Sequence, residues 1–153
     1  MNAPIPRSEE ILATARERAF RDSRPYAGQV TPQEAYELLH TGRAKIIDVR
    51  FAFEYEYIGR VPGSILIPWK NAPGGEINRE FLPELRRQCA PDEVVLLLCR
   101  SGIRSHAAAA TATEDGFTQV FNIQGGFEGD LDETQQRNRV GGWRHAELPW
   151  VQS

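Results

Sequence analysis

Asp92-Glu93-Val94-Val95-Leu96-Leu97-Leu98-Cys99-Arg100-Ser101-Gly102-Ile103-Arg104-Ser105-His106, running on into Ala107–Ala110, decides how the rest of the chain reads. Val94–Leu98 is an unbroken apolar run with two β-branched residues, short enough for a strand buried on both faces. The alanines beyond it are the strongest helix formers in the chain. Between strand and helix stand a cysteine and a tight segment holding Gly102, two arginines and two serines. A strand that turns directly into a helix puts Cys99 at the carboxyl end of a parallel sheet, where open α/β sheets bind ligands.

That position suits a nucleophilic sulfur. The first N–H groups of a helix have no intrahelical partner and carry its positive dipole end. A loop curled around the sulfur turns further N–H groups inward as an anion nest. Arg100 and Arg104 add two charges, and such surroundings stabilise a thiolate over a thiol. The alternative is an inert strand-end cysteine, the usual fate of this residue. The arginines and the glycine turn favour the nucleophile.

Composition bounds what surrounds this core. At 153 residues the chain is the size of one domain able to bury a core without staples. Its net charge of −3 gives no footprint for nucleic acid or an anionic membrane. No apolar run approaches a membrane span, and the amino terminus lacks a signal-peptide layout. Two cysteines make neither a disulfide framework nor a zinc pattern. A cytoplasmic protein without cofactor or metal is expected.

In chain order, residues 1–7 read as a lead-in with two prolines. Ser8-Glu9-Glu10 opens a helix with Ile11, Leu12, Ala15 and Ala19 on one stripe. Its arginines (Arg16, Arg18, Arg21, Arg24) are expected on a solvated face. Pro25–Gly28 breaks it, and Thr31-Pro32 caps a second helix that stops at Gly42. Ala44–Val49 is a strand, followed by a short helix over Arg50–Tyr57 on which Arg50 and Glu54 stand at pairing distance. Ser64–Ile67 is a strand. Asn78–Cys89 is a helix that must hold Pro83 in its first turn or be divided by it. Gly116 ends the alanine helix, Gln119–Ile123 is the last strand, and Gly125-Gly126-Phe127 turns into a tail rich in glycine and tryptophan. Strands alternating with helices give an α/β fold with a mainly parallel sheet.

Asp48-Val49-Arg50, Glu54-Tyr55, Gly59-Arg60-Val61-Pro62-Gly63-Ser64-Ile65 and Cys99-Arg100-Ser101-Gly102-Ile103-Arg104-Ser105, in this order and spacing, resemble a single-domain rhodanese. The resemblance covers about residues 30–150, with Gly125-Gly126-Phe127 and the Gly-Trp…Leu-Pro-Trp ending similar to the closing segment of bacterial members. It implies a rhodanese-like α/β fold of about five mostly parallel strands flanked by helices on both faces, with the active-site loop after the fourth. It also implies sulfane-sulfur transfer through a persulfide. Cys99 is then the catalytic nucleophile, and Arg100, Ser101, Gly102, Ile103 and Arg104 form the substrate-binding cradle. The partners implied are a small anionic donor such as thiosulfate, a thiol or cyanide acceptor, and a sulfur-carrier protein. Arg60 departs from the family, which often has His there. Residues 1–29 form a lead-in and extra helix outside the domain at 30–153.

Other candidates are weighed against plainer roles. Asp48 and Arg50 read as a structural ion pair shaping the loop. His106 is near enough to tune the thiol but reads better as a surface helix residue. Trp69 is placed either in the donor pocket or in packing. His40 and His145 lack metal-ligand spacing, and Glu128, Asp130, Asp132 and Glu133 read as a solvated acidic turn rather than a calcium loop. Cys89 closes a helix before the central strand. About six strand residues at ~3.3 Å then set its thiol some ~20 Å from Cys99, too far for a disulfide. Two other classes of function stay open: a non-enzymatic binding or regulatory domain, and a phosphate or arsenate enzyme. The second uses a Cys-x5-Arg loop, whereas Cys99–Arg104 is Cys-x4-Arg, a smaller cradle.

Overall fold

The computed structural model describes residues 3–153. Ten elements alternate: α1 (Arg7–Arg21), β1 (Gly28–Val30), α2 (Pro32–His40), β2 (Lys45–Asp48), a π-helical turn (Glu54–Ile58), β3 (Ile65–Leu66), α3 (Phe81–Gln88), β4 (Val95–Leu98), α4 (Ile103–Glu114) and β5 (Val120–Ile123). The strands form one sheet in the order β1-β5-β4-β2-β3. Every neighbouring pair is parallel, with Ile47 level with Leu97 and Leu96 level with Phe121. The expected α/β architecture, five parallel strands flanked by helices, is the one observed.

The period of two in β4 divides its side chains between two cores. Leu96 and Leu98 join Ile11, Leu12, Leu38, Phe121 and Trp143 on the α1–α2 face. Val95 and Leu97 join Ile47, Phe81, Leu85, Ala108 and Ala112 on the α3–α4 face. All four β4 residues are wholly buried, and truncating any of the three leucines to alanine would cost about 2–5 kcal/mol. The strand is therefore a fixed base for the loop that leaves it.

Local signals set most element ends. Thr31 caps α2 in a reciprocal capping box with Glu34, and Pro32 takes the first helical position. Pro83 lies in the first turn of α3, where its missing N–H costs nothing, so that helix starts at Phe81 rather than Asn78. α1 begins one residue before Ser8, at Arg7, and Pro6 O accepts the N–H groups of Glu9 and Glu10.

Three expectations need correction. β1 was not foreseen: its Gly28 lies so close under α1 that a Cβ there would sit 2.8 Å from the Ala15 carbonyl carbon. The division expected at 29/30 runs through this strand, and the α1 stripe is buried in the shared core. The arginines of α1 are not all solvated, because Arg18 makes two hydrogen bonds to the Glu34 carboxylate (2.6 and 2.9 Å) and a third to Gln29 O. The helix expected over 50–57 is a π turn over Glu54–Ile58, closed by Gly59 N–H on Glu54 O, and Arg50 lies before it, outside the helix.

Candidate active site

β4 delivers Cys99 to the carboxyl edge of the sheet with its side chain buried. The chain then turns at Gly102, whose φ of +109° an L side chain rarely adopts, and α4 starts at Ile103. This turn points the Gly102 N–H at Cys99 Sγ, 3.0 Å away. Ser105, one turn into α4, sets its Oγ 3.2 Å from the same sulfur and 2.6 Å from Asn122 Oδ1. A hydroxyl has one proton. Ser105 therefore donates to Asn122 while accepting the thiol hydrogen, or swings its proton to a sulfur that has lost one. Asn122 is fixed by donating to Gly102 O (3.2 Å) and to the Tyr26 hydroxyl (3.4 Å).

The outer side of the loop is clamped. Phe127 N–H donates to Cys99 O, and the Glu128 and Gly129 N–H groups both donate to Arg100 O. A Cβ on Gly126 would lie 2.5 Å from Cys99 O, so this approach requires glycine. With the loop carbonyls tied outward, the N–H groups of Arg100, Ser101, Ile103 and Arg104 have no acceptor among the described residues. They remain available to an anion.

Arg104 and Arg100 differ. Arg104 makes a two-pronged pair with Glu54 (2.7 and 3.0 Å) and lies over the Phe51 ring. Burial pushes the Glu54 carboxyl up. The Arg104 hydrogen bonds, the Phe51 N–H and the nearby arginine charges more than offset this and hold it below the ordinary carboxylate range. The Arg50–Glu54 pair expected from spacing does not form. Arg50 instead binds Asp48, with both side chains wholly buried, and donates to Gly59 O at 2.6 Å. This pair braces the turn that carries Glu54. Arg100 is exposed and, among the described residues, has no ion-pair partner.

Two cavities flank the loop. One of about 380 Å³ is bordered by Ser101, Gly102, Ile103, Tyr26, His106 and Asn122. The other, about 400 Å³, is bordered by Phe51, Phe53, Glu54, Lys70, Arg100, Arg104, Glu128 and Arg137. His106 shares a 2.8 Å hydrogen bond with the Tyr26 hydroxyl rather than touching Cys99. Trp69 packs edge-on against Phe81 in the core. Glu128 is no solvated turn residue: it is 9% exposed and its Oε1 meets Arg144 at 3.4 Å. Arg60 pairs its backbone with Val151 and lies over the Tyr55 ring. Both cysteines are free, and burial pushes the Cys89 thiol up. Among the described residues there is no His/Cys/Asp/Glu cluster able to hold a metal, and no helix long and apolar enough to cross a membrane.

Glu54, Ser105, Asn122, Lys70 and Glu128 were not anticipated at the site. Asn122 carried a signal, a lone amide inside the apolar strand Val120–Ile123. For Glu128 and Lys70 no local signal exists.

The fold is thus a parallel α/β sheet that presents a cysteine at its carboxyl edge, in a loop whose Gly102 N–H points at the sulfur and whose other N–H groups have no acceptor among the described residues. The chain belongs to the rhodanese-like domain family, whose model matches residues 31–133. A thiosulfate sulfurtransferase, GlpE, from Actinobacillus succinogenes is 27% identical over 121 residues, covering 79% of this chain and 87% of the relative. The crystal structure of Rv0390 from M. tuberculosis matches with a TM-score of 0.72 and 39% identity over 84% of this chain and 99% of that one. A rhodanese-related protein from Thermoplasma volcanium shares the fold at 21% identity and a TM-score of 0.52, over 82% and 98% of the two chains.

Proposed function

We propose that this protein is a cytoplasmic sulfurtransferase that carries sulfane sulfur as a persulfide on Cys99, with Arg100–Arg104 as the cradle. The observation that carries the reading is the sulfur's setting: Gly102 N–H and Ser105 Oγ on Sγ, and four further N–H groups of the same loop without acceptors among the described residues. The Cys99 thiolate attacks the outer sulfur of a donor such as thiosulfate. An Sγ–S bond forms, the donor S–S bond breaks, and sulfite leaves with its electron pair. The persulfide so formed is an anion one atom further out, and unpaired N–H groups are the donors such a charge needs. Arg100 meets the incoming anion, and Arg104, braced by Glu54, holds the loop in shape. Cyanide, a thiol or a sulfur-carrier protein then attacks the outer sulfur, and Cys99 leaves as thiolate. The unpaired thiols suit a reducing compartment.

The test is intact-mass spectrometry after thiosulfate treatment and desalting. The expected result is a gain of one sulfur atom, lost again on adding cyanide, and no gain in a folded Cys99→Ser variant. A wild-type protein that takes up no sulfur, or a serine variant that takes it up equally, refutes the proposal.

A further inference from the structure

Ser105 is wholly buried, and among the described residues its hydroxyl has two polar neighbours, Cys99 Sγ at 3.2 Å and Asn122 Oδ1 at 2.6 Å. The far end of the Asn122 amide decides which end faces Ser105. Gly102 O, 3.2 Å away, can only accept, so the NH₂ group points to it and Oδ1 points to Ser105. The second amide hydrogen goes to the Tyr26 hydroxyl at 3.4 Å, which His106 Nδ1 engages in turn at 2.8 Å. Both amide hydrogens are thus taken, and Oδ1 is left for Ser105 alone. The hydroxyl has one proton, and two acceptors compete for it once the sulfur is charged. Asn122 is 6% exposed, so a Ser105 hydroxyl that turns to the sulfur strips a buried oxygen of its donor.

We propose that Asn122 is a positioning residue that holds the Ser105 proton away from Cys99, and thereby governs how readily the sulfur ionises and how strongly its thiolate attacks. While Sγ is neutral, as a thiol or as the inner sulfur of a persulfide, the Ser105 O–H stays on Asn122 Oδ1. When Sγ is charged, the O–H turns about the Cβ–Oγ bond toward it. No covalent bond breaks in that turn, and the thiol proton itself goes to solvent. Leaving Oδ1 without a donor disfavours the thiolate, and a thiolate less strongly held is the better nucleophile. The part Asn122 plays in sulfur transfer rests on the Cys99 persulfide reading above; its hold on the Ser105 proton does not.

Other charges surround the sulfur. Arg100 and Arg104 belong to its own loop and helix, Glu54 pairs with Arg104, Asp48 pairs with Arg50, and Glu128 backs Arg100. Lys70 and Arg137 border the cavity beside Arg100, and Arg24 and His106 border the one beside Gly102. Burial pushes the Tyr26 hydroxyl up, which keeps it protonated. All of these are common to the proteins compared below, so their fields cancel in the comparison.

The test is the ultraviolet thiolate absorbance of Cys89→Ser protein, which has a single thiol, followed against pH with the Cys89→Ser/Cys99→Ser protein as blank. Asn122→Leu should lower the midpoint by about 0.4–1 pH unit, the equivalent of one net hydrogen bond. Gly102 O keeps the His106 N–H in that variant and is not orphaned. In a Ser105→Ala background the same substitution should not lower the midpoint. A residue that merely holds the loop in shape would move it alike with and without the hydroxyl, and that result overturns the proposal. So does an Asn122→Leu midpoint that stays or rises while Ser105 is present. Wild-type protein gives a reading that needs no variant at position 122. The Asn122 side-chain amide resonances should shift as Cys99 ionises, and Ser105→Ala should abolish most of that shift; wild-type resonances that stay fixed overturn the proposal whether or not Asn122→Leu folds. Failure to take up sulfur refutes the persulfide reading and leaves the hold on Ser105 standing, whereas a midpoint indifferent to the hydroxyl refutes this proposal alone.

Discussion

Replacing Glu54 by glutamine tests the brace behind the loop with little change in shape. Glu54 is 3% exposed, and the Arg104 side chain that it holds is 18% exposed. Each charge-assisted hydrogen bond contributes about 1.5–3 kcal/mol. The amide oxygen keeps one of the two, but the other faces an N–H₂ group and the guanidinium loses its countercharge. Breaking a buried pair from one side costs about 3–5 kcal/mol, and the residual exposure of Arg104 lowers this to about 2–4 kcal/mol. For a chain of this length that is a fall in Tm of about 4–16 °C. The loss must also depend on pH. Glu54 titrates below its ordinary value in the folded chain, so its charge contributes fully above the unfolded value of about 4.3 and less as pH falls through the folded one. Wild-type and variant stabilities, measured by guanidinium denaturation, should therefore converge as the pH is lowered below about 4. A variant that melts within about 2 °C of wild type at pH 7 would refute the brace, as would a gap that stays constant into acid.

Arg100→Ala should raise the apparent KM for thiosulfate severalfold and leave thermal stability alone, because that side chain is exposed. Arg104→Ala should lower kcat and Tm together, since it strands the Glu54 carboxylate; equal behaviour of the two variants in kinetics and melting contradicts these roles. Gly126→Ala, at φ +60° and 2.5 Å from Cys99 O, should cost at least about 2–3 kcal/mol and most of the activity. An active, fully stable alanine protein would show that the clamp can shift freely. Cys89→Ser should leave sulfur transfer intact, and peptide mapping after mild oxidation should find modification at Cys99 and no link between the two.

What could be read in the chain beforehand followed the range of the forces involved. The buried strand β4, the Thr31–Glu34 cap and the turn at Gly102 are written within a few residues of where they act. β1 is only three residues long and opens on a glycine that exists for the approach of α1, so neither alternation nor propensity marks it. Arg50 and Glu54 stand at helical spacing, but Arg50 lies ahead of the π turn and pairs back to Asp48, while Glu54 pairs with Arg104, fifty residues on in the chain. Asn122 was legible in principle, as a polar residue in an apolar strand. Glu128 was not, because Arg144 and the cavity wall that give it meaning arrive from other parts of the chain.

The clamp on the loop has a consequence for the order in which the protein comes into being. Cys99 leaves the ribosome well ahead of Phe127–Gly129, and further ahead of Trp143, whose N–H holds Gly126 O from behind. At about 5–20 residues per second, the interval lasts a few seconds. Throughout it, the nascent chain carries a thiol with no enclosure. The contacts of Gly102 and Ser105 to the sulfur come from residues made just after it, but the clamp that fixes their loop closes only once Phe127–Gly129 and then Trp143 have followed.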